Sequence, residues 1–401
     1  MTFLHGVEIQ EVDKGPRPIG GVNASVIGLV GTATFGNAPQ DVPVLISGSR
    51  KTAEDRFGKV RTDEEVSEGN TLPYALNAIL DQTAAQIVVV KVANSDSIKA
   101  GVQALVGAES VVHQTPRILI APGFSDESVV VSALNSAAER LRGVAVVDVV
   151  TPGSAGTAGS SSDGTGKQAD QSPQGNDNDA IADVISNVPE VDSSRLYAVY
   201  PFVKVSLGGV RFRLEPASAR VAGVIAKSDD ERGFWWSPSN RPIAGIVGTK
   251  QPIDFSLGDS LSSANQLNEG KIASIIHQGG YRLWGNRSLS TDPKWAFISV
   301  RRTADLINDA LQRAHLWAVD RNITKTYVNE VTEGVNAYLR HLKSQGAIIN
   351  GTCWADPEVN TWDQIQQGKV TFDFDFTPPY PAEHITFRST LVNDYLEEIF
   401  A

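Results

Sequence analysis

The 401-residue sequence has one cysteine, no long apolar run and fewer basic than acidic residues. A single cysteine, Cys353, permits neither an internal disulfide nor a thiolate-bound metal cluster. The longest apolar runs, such as residues 87–92, are much shorter than the ~20 residues that span a bilayer, and no export signal is expected at the N-terminus. The net charge of −11 argues against nucleic acid or an anionic membrane as a partner, because both attract clustered lysine and arginine.

Apolar residues make up 41% of the chain, and their pattern predicts an α/β fold (mixed α+β). Continuous apolar runs predict strands buried on both faces, with amphipathic helices between them. The predicted strands are residues 25–30, 44–46, 87–92, 118–121, 144–150 and 196–201, and the predicted helices are 72–84, 128–141, 179–188 and 217–226. Residues 202–214 predict a hairpin, whereas residues 152–178, which have almost no large apolar side chains, predict a flexible surface loop.

The stretch from residue 233 to residue 255 is rich in aromatic residues, proline and glycine and indicates a domain boundary, which we place at residues 245/246. Beyond it, Thr303 is predicted to cap a helix with an apolar period that continues to Trp317. The remaining predicted elements are a helix over residues 324–345 and strands over residues 347–353 and 369–376.

Two strand patterns at the ends of the chain are separated from the predicted domains by prolines. Val7 and Ile9 alternate with polar residues within an N-terminal arm, residues 1–22. Ile385 and Phe387 do the same within a C-terminal arm, residues 377–401, which begins with the stiff segment Pro-Pro-Tyr-Pro and ends in a predicted helix over 393–400. Because a lone strand is not stable by itself, both arms are expected to pair with something else.

Motifs for catalysis or cofactor binding are weak. Residues 163–167 (DGTGK) differ from a phosphate-binding loop, because Ser161 occupies the first glycine position and Gln168 replaces the serine or threonine. The six histidines show no metal-ligand spacing. We therefore predict no catalytic residue, no cofactor and no metal site.

One pair of carboxylates leaves two interpretations open. Asp373 and Asp375 lie on the same face of a predicted strand. They could help to hold a cation or do acid–base work. In the simpler interpretation the strand buries its phenylalanines at 372, 374 and 376 and leaves both carboxylates in solvent.

Three distinctive segments, residues 233–240 (GFWWSPSN), 280–287 (GYRLWGNR) and 317–324 (WAVDRNIT), are accompanied by shorter ones at 5–7, 116–119, 121–123, 351–354 and 368–379. In this order they resemble the tail sheath proteins of contractile-tailed bacteriophages (myovirus type) and R-type pyocins. The resemblance covers nearly the whole chain and is strongest over residues 231–390. The loop at 152–178 is the clear departure from it.

The resemblance implies a structural subunit of a contractile tail sheath rather than an enzyme. Such subunits polymerise around the tail tube as a helix or as stacked rings. The polymer then contracts and drives the tube through the target cell envelope with energy stored in a metastable assembly. It implies an outer α/β domain (23–245), an inner sheath-core domain (246–376) and arms that add strands to neighbours' sheets. The implied partners are other copies of the chain, the tail tube protein, and the baseplate and tail terminator proteins. The implied location is a virion or phage-tail-like particle, assembled in the host cytoplasm. The alternative is an α/β nucleotide- or small-molecule-binding enzyme.

The resemblance also places the C-terminal domain next to the tube. Arg340 and Lys343 lie near the C-terminal end of the predicted helix 324–345, on the polar stripe opposite its apolar face, with Asn336. We expect both basic residues to meet acidic groups on the tube. The alternative is that both side chains have no partner and only interact favourably with the negative, C-terminal end of the helix dipole.

Overall fold

The computed structural model describes residues 19–61, 66–150, 177–209 and 211–400. The predicted N-terminal strand with Val7 and Ile9 lies outside the described residues, as does all of the predicted loop 152–178 except its last two residues. Those two residues, Asp177 and Asn178, belong to the first turn of a helix instead.

The described residues form thirteen strands and eleven α-helices. The strands are β1 (Ile27–Thr32), β2 (Pro43–Ser47), β3 (Gln86–Val92), β4 (Ile118–Ile120), β5 (Val144–Asp148), β6 (Leu196–Tyr200), β7 (Val203–Gly208), β8 (Arg211–Glu215), β9 (Gly248–Thr249), β10 (Ile272–His277), β11 (Tyr281–Trp284), β12 (Asn350–Trp354) and β13 (Asp373–Thr377). The helices are α1 (Arg50–Phe57), α2 (Leu72–Leu80), α3 (Ile98–Val106), α4 (Ala108–Val112), α5 (Ser128–Leu141), α6 (Asp177–Ser186), α7 (Ala217–Arg232), α8 (Ser263–Glu269), α9 (Ile298–Ala314), α10 (Lys325–Ser344) and α11 (Trp362–Gln366).

An eight-stranded sheet in the order β11-β10-β6-β5-β4-β1-β3-β2 forms the main layer. The strands from β10 to β3 run parallel to one another, and β11 and β2 are antiparallel at the two edges. The predicted α/β class with parallel pairs is therefore confirmed. The run at 44–46 is an exception to the predicted double burial, because β2 is an edge strand with only part of its surface covered.

Helices cover both faces of this sheet, because the strands are apolar on both sides. Ile27 and Leu29 of β1 face the layer of α1, α2 and α7, whereas Val26 and Val30 face the layer of α3, α5, α6 and α8. These alternating side chains account for the continuous apolar runs in the sequence. The predicted hairpin is also present, since β7 and β8 pair antiparallel and β9 adds a third strand.

The predicted boundary at 245/246 is wrong, because it would divide the main sheet: β10 and β11 lie beyond it and continue the sheet from β6. Helix α9 is also fixed to the sheet layer by largely buried ion pairs. These are Arg117 with Asp309, Arg195 with Asp305, and Arg302 with Asp229. The first structural unit therefore extends through α9.

Thr303 does not cap α9. The helix begins at Ile298, and Thr303 lies inside it, where its hydroxyl donates to the Ser299 carbonyl. The helix ends at Ala314, before Trp317, which belongs to a short 3₁₀ turn. The start of α9 was not recognisable in the sequence, because its arginines and aspartates look like solvent-exposed residues. Their buried ion-pair partners are distant in the sequence.

Candidate inter-subunit surface

A two-stranded sheet of β12 and β13 packs against α10 at the C-terminal part of the fold. The strands are antiparallel, with Cys353 opposite Phe374. The three phenylalanines of the β13 region are partly buried and pack towards an apolar cluster that includes Val335, Tyr338 and Leu339 of α10, as in the simpler of the two interpretations. A sheet of two strands is marginal by itself, and the cluster beneath it supports only one face.

The two edges of this small sheet differ. The Asn336 side chain of α10 donates to the Cys353 carbonyl at 2.9 Å and accepts from the Cys353 N–H at 2.8 Å, so the β12 edge is occupied there. Because the backbone groups of Cys353 point away from β13, those of the opposite residue, Phe374, point away from β12. No further strand pairs with β13 among the described residues. The open edge of the sheet therefore belongs to β13.

The carboxylates of β13 lie on the face opposite the phenylalanines. Asp375 is exposed and accepts a hydrogen bond from the Thr352 N–H at 2.8 Å, and Asp373 is partly buried. Within the described residues, the structure contains no cluster of three or more histidine, cysteine or acidic side chains able to hold a metal ion. Burial, and then the nearby Asp373, raises the pKa of the Cys353 thiol to about 11, so this lone cysteine stays protonated at neutral pH.

The chain leaves β13 through Pro378-Pro379-Tyr380-Pro381 and is then held by contacts that we call the arm clamp: Arg287, Phe297, Tyr380 and Glu383. Arg287 Nε lies 2.8 Å from Glu383 Oε1, and Arg287 Nη2 lies 2.5 Å from Glu383 Oε2. The Arg287 guanidinium also covers the Phe297 ring at 5.4 Å, and that ring meets the Tyr380 ring edge-to-face at 6.2 Å. The hydrogen bond with Glu383 raises the pKa of Arg287.

Beyond the arm clamp the C-terminal segment is exposed. Residues 384–388, predicted as a strand, have no regular structure in the single chain. Ile385 is 66% exposed and Phe387 is 91% exposed. The predicted terminal helix is a 3₁₀ helix, Asp394–Phe400. Among the described residues no strand pairs with 384–388, and the predicted strand, which is expected to form on a neighbour's sheet, stays a prediction.

The predicted tube-contact residues have partners within the chain. Arg340 lies 3.8 Å from Glu333, and Lys343 Nζ donates to Asn350 Oδ1 at 3.0 Å. Both basic side chains are exposed on the last turns of α10. Asn336, in contrast, does not belong to a free polar stripe, because its amide binds the backbone of β12.

A buried carboxylate is the strongest feature for the enzyme alternative. The hydroxyls of Ser125 and Ser218 bind Asp148, and burial raises the pKa of Asp148 to about 6. All three residues are almost fully enclosed, at 0–3% exposure, so a substrate has no access to them.

In the part of the chain that the structure describes, no helix is both long and apolar enough to span a membrane.

The comparisons with known proteins agree with the segments noted in the sequence. The model of the phage tail sheath protein central domain matches residues 92–289, and that of the phage tail sheath C-terminal domain matches residues 290–391. The chain is 40% identical, over its full length, to a prophage major tail sheath protein of Pseudomonas aeruginosa (strain UCBPP-PA14), of which 99% is covered. The chain belongs to the phage tail sheath family. The join between the two family models, at 289/290, falls after β11 and so leaves the main sheet intact.

Other relatives extend the comparison. The tail sheath protein of Escherichia phage P2 is 30% identical over 99% of this sheath protein and 98% of its own length. The anti-feeding prophage helical sheath in the contracted state has a TM-score of 0.70 at 20% identity, with 97% of this chain and 99% of that chain covered. The PVC sheath complex in the contracted state gives 0.67 at 18% identity, with 98% and 99% covered. The predicted family is confirmed: the protein is a tail sheath subunit of a phage tail or prophage tail-like particle.

Sequence reasoning did not identify the arm clamp or the role of Asn336. Arg287 ends one of the sheath-like segments, but nothing in the sequence connects it with Glu383. Asn336 occupies a polar helix position that looks solvated. Only the fold brings these groups to their partners.

Proposed function

We propose that this sheath subunit polymerises around a tail tube through its arms, and that the polymer contracts to drive the tube through a target cell envelope. The observation that carries the proposal is the presence, in one chain, of an open β13 edge and an apolar C-terminal segment that pairs with no strand of the described residues. Main-chain hydrogen bonds at a sheet edge and side chains in its apolar face are the elements of strand addition.

The added strand comes from a second copy. The three prolines at 378, 379 and 381 keep the chain stiff as it leaves β13, and the arm clamp holds Glu383 on Arg287. Both features oppose a hairpin in which residues 384–388 fold back on their own β13. Because donor segment and acceptor edge are different surfaces, the contact is heterologous and its repetition produces an open helical assembly. Val7 and Ile9 supply a second linking strand in this proposal.

The remaining parts of the proposal concern partners and energy. The sheath subunit associates with the tail tube, baseplate and tail terminator proteins, and Arg340 and Lys343 contact the tube. It acts without catalysis or a cofactor. The free energy for contraction is stored when subunits assemble in a kinetically trapped arrangement, and it is released when they repack.

Electron microscopy and sedimentation of the purified full chain test the proposal. Wild-type protein is expected to form long hollow tubes or helical polymers that shorten irreversibly on mild heating without added ATP. A chain that ends after Glu383 keeps the arm clamp and is expected to remain a folded monomer. Normal tubes from that truncated chain, or shortening that requires a nucleotide, would contradict the proposal.

A further inference from the structure

The open edge of β13 has negative charge on its solvent side. Asp373 and Asp375 lie there, and neither takes part in an ion pair among the described residues. Among the hydrogen bonds of the described residues, the Asp375 carboxylate accepts one from the Thr352 N–H and the Asp373 carboxylate accepts none. Two carboxylates beside an unpaired strand edge repel an incoming strand that is acidic on the same face.

In the corresponding positions the C-terminal segment has one positive charge, that of Arg388, and no negative charge. Ile385 and Phe387 alternate with His384, Thr386 and Arg388. When the two apolar side chains join the phenylalanine face of the sheet, the other three must lie on the aspartate face, because successive side chains of a strand point to opposite sides. His384 Nε2 and Thr386 Oγ1 are already 3.3 Å apart in the subunit, as expected for side chains on one side of an extended chain.

We propose that Asp373 and Asp375 select residues 384–388 of a second copy as the strand next to β13, through pairing with Arg388 and His384. This inference rests on the proposed strand addition and specifies its donor. The competing donor is the N-terminal arm of another copy, which has Glu8 between its apolar residues. On β13 that arm would place a third carboxylate on the aspartate face, and like charges across neighbouring strands are unfavourable.

Charge reversal tests the selection. Arg388→Asp changes an exposed side chain, so the subunit stays folded, and polymers are expected only at roughly tenfold higher protein concentration. Adding Asp373→Lys to the same chain is expected to restore assembly, because every copy supplies both surfaces. The matched control is Asp363→Lys, which makes the same charge change on α11 rather than on β13 and is expected not to rescue Arg388→Asp. Assembly of Arg388→Asp at wild-type concentration would overturn the inference, as would failure of Asp373→Lys to rescue it.

Cross-linking with a short bismaleimide identifies the donor directly. A chain with Asp375→Cys is mixed with a chain with Thr386→Cys or with one with Glu8→Cys, and the native Cys353 is buried and so unreactive. Cross-linked dimers are expected in assembling mixtures with Thr386→Cys. Cross-links with Glu8→Cys alone would overturn the selection but leave strand addition standing. Absence of both cross-links in polymers would instead contradict strand addition at β13, and with it the inference.

Discussion

Replacing Phe387 by alanine tests the arm contact with a single side chain. The ring is 91% exposed in the subunit, so the folded monomer derives little stability from it. In the proposed assembly the ring becomes buried beside the phenylalanines of β13. Full burial of such a side chain is worth about 1.5–3 kcal/mol, and about 1.4 kcal/mol corresponds to a tenfold change in an equilibrium constant. The critical concentration for polymerisation is therefore expected to rise by roughly 10- to 150-fold.

The assay is sedimentation across a concentration series, with electron microscopy of the pellets and a thermal melt of the monomer. Phe212→Ala is the control, because this phenylalanine is also exposed, at 46%, but belongs to β8 and not to the arm. Ile385→Asp together with Phe387→Asp is expected to abolish polymers and leave the melting temperature unchanged. If Phe387→Ala forms polymers at the wild-type concentration, the ring is not buried on assembly and the reasoning fails.

Three further predictions concern other groups. Glu383→Gln releases the arm clamp and is expected to raise the critical concentration for polymerisation several-fold, because a looser arm loses more entropy on binding. Sedimentation measures this change. Glu109→Gln, which removes a comparable surface ion pair, is the control and is expected to have no effect. Burial raises the pKa of Asp148 from 3.8 to about 6, so this group makes the free energy of unfolding fall by roughly 3 kcal/mol as pH rises from about 4 to 6. Asp148→Asn is expected to reduce this dependence of the free energy of unfolding on pH, as measured by denaturant melts. Reversing Arg340 and Lys343 to glutamate is expected to permit sheath polymers but prevent assembly on tubes, and normal assembly on tubes would show them to be only solvated helix charges.

The sequence predicted those elements whose apolar pattern is local and strong. Helix α10 was expected over 324–345 and is observed at Lys325–Ser344, with the Thr324 hydroxyl accepting from the Tyr327 N–H as its cap. The buried strands of the main sheet were recognisable because their side chains are apolar on both faces. The family resemblance was likewise present in continuous segments.

Features that depend on distant pairing were not predictable. The main sheet continues beyond residues 245/246 because β10 pairs with β6. No sequence pattern between these two strands indicates that pairing. The start of α9 was misplaced for a related reason: Arg301 and Arg302 look like solvent-facing residues, yet both find aspartate partners in largely buried surroundings. The arm clamp is a third case, since Arg287 and Phe297 precede α9 in the sequence, whereas Tyr380 and Glu383 follow α10.

The distribution of strong contacts determines where a sheath of such subunits can change shape. Helix α9 is fixed to the main sheet by its buried ion pairs, and removing one partner of such a pair typically costs about 3–5 kcal/mol. Rotating α9 away from the sheet would break several of these pairs at once. Within the part of the chain that the structure describes, the C-terminal segment makes no comparable ion pair after Glu383, so a change of backbone angles there costs little. Rearrangement of the polymer is therefore expected to leave the subunit body intact and to occur in the segment between the arm clamp and the strand added to the neighbour, with the β13 edge contact preserved throughout.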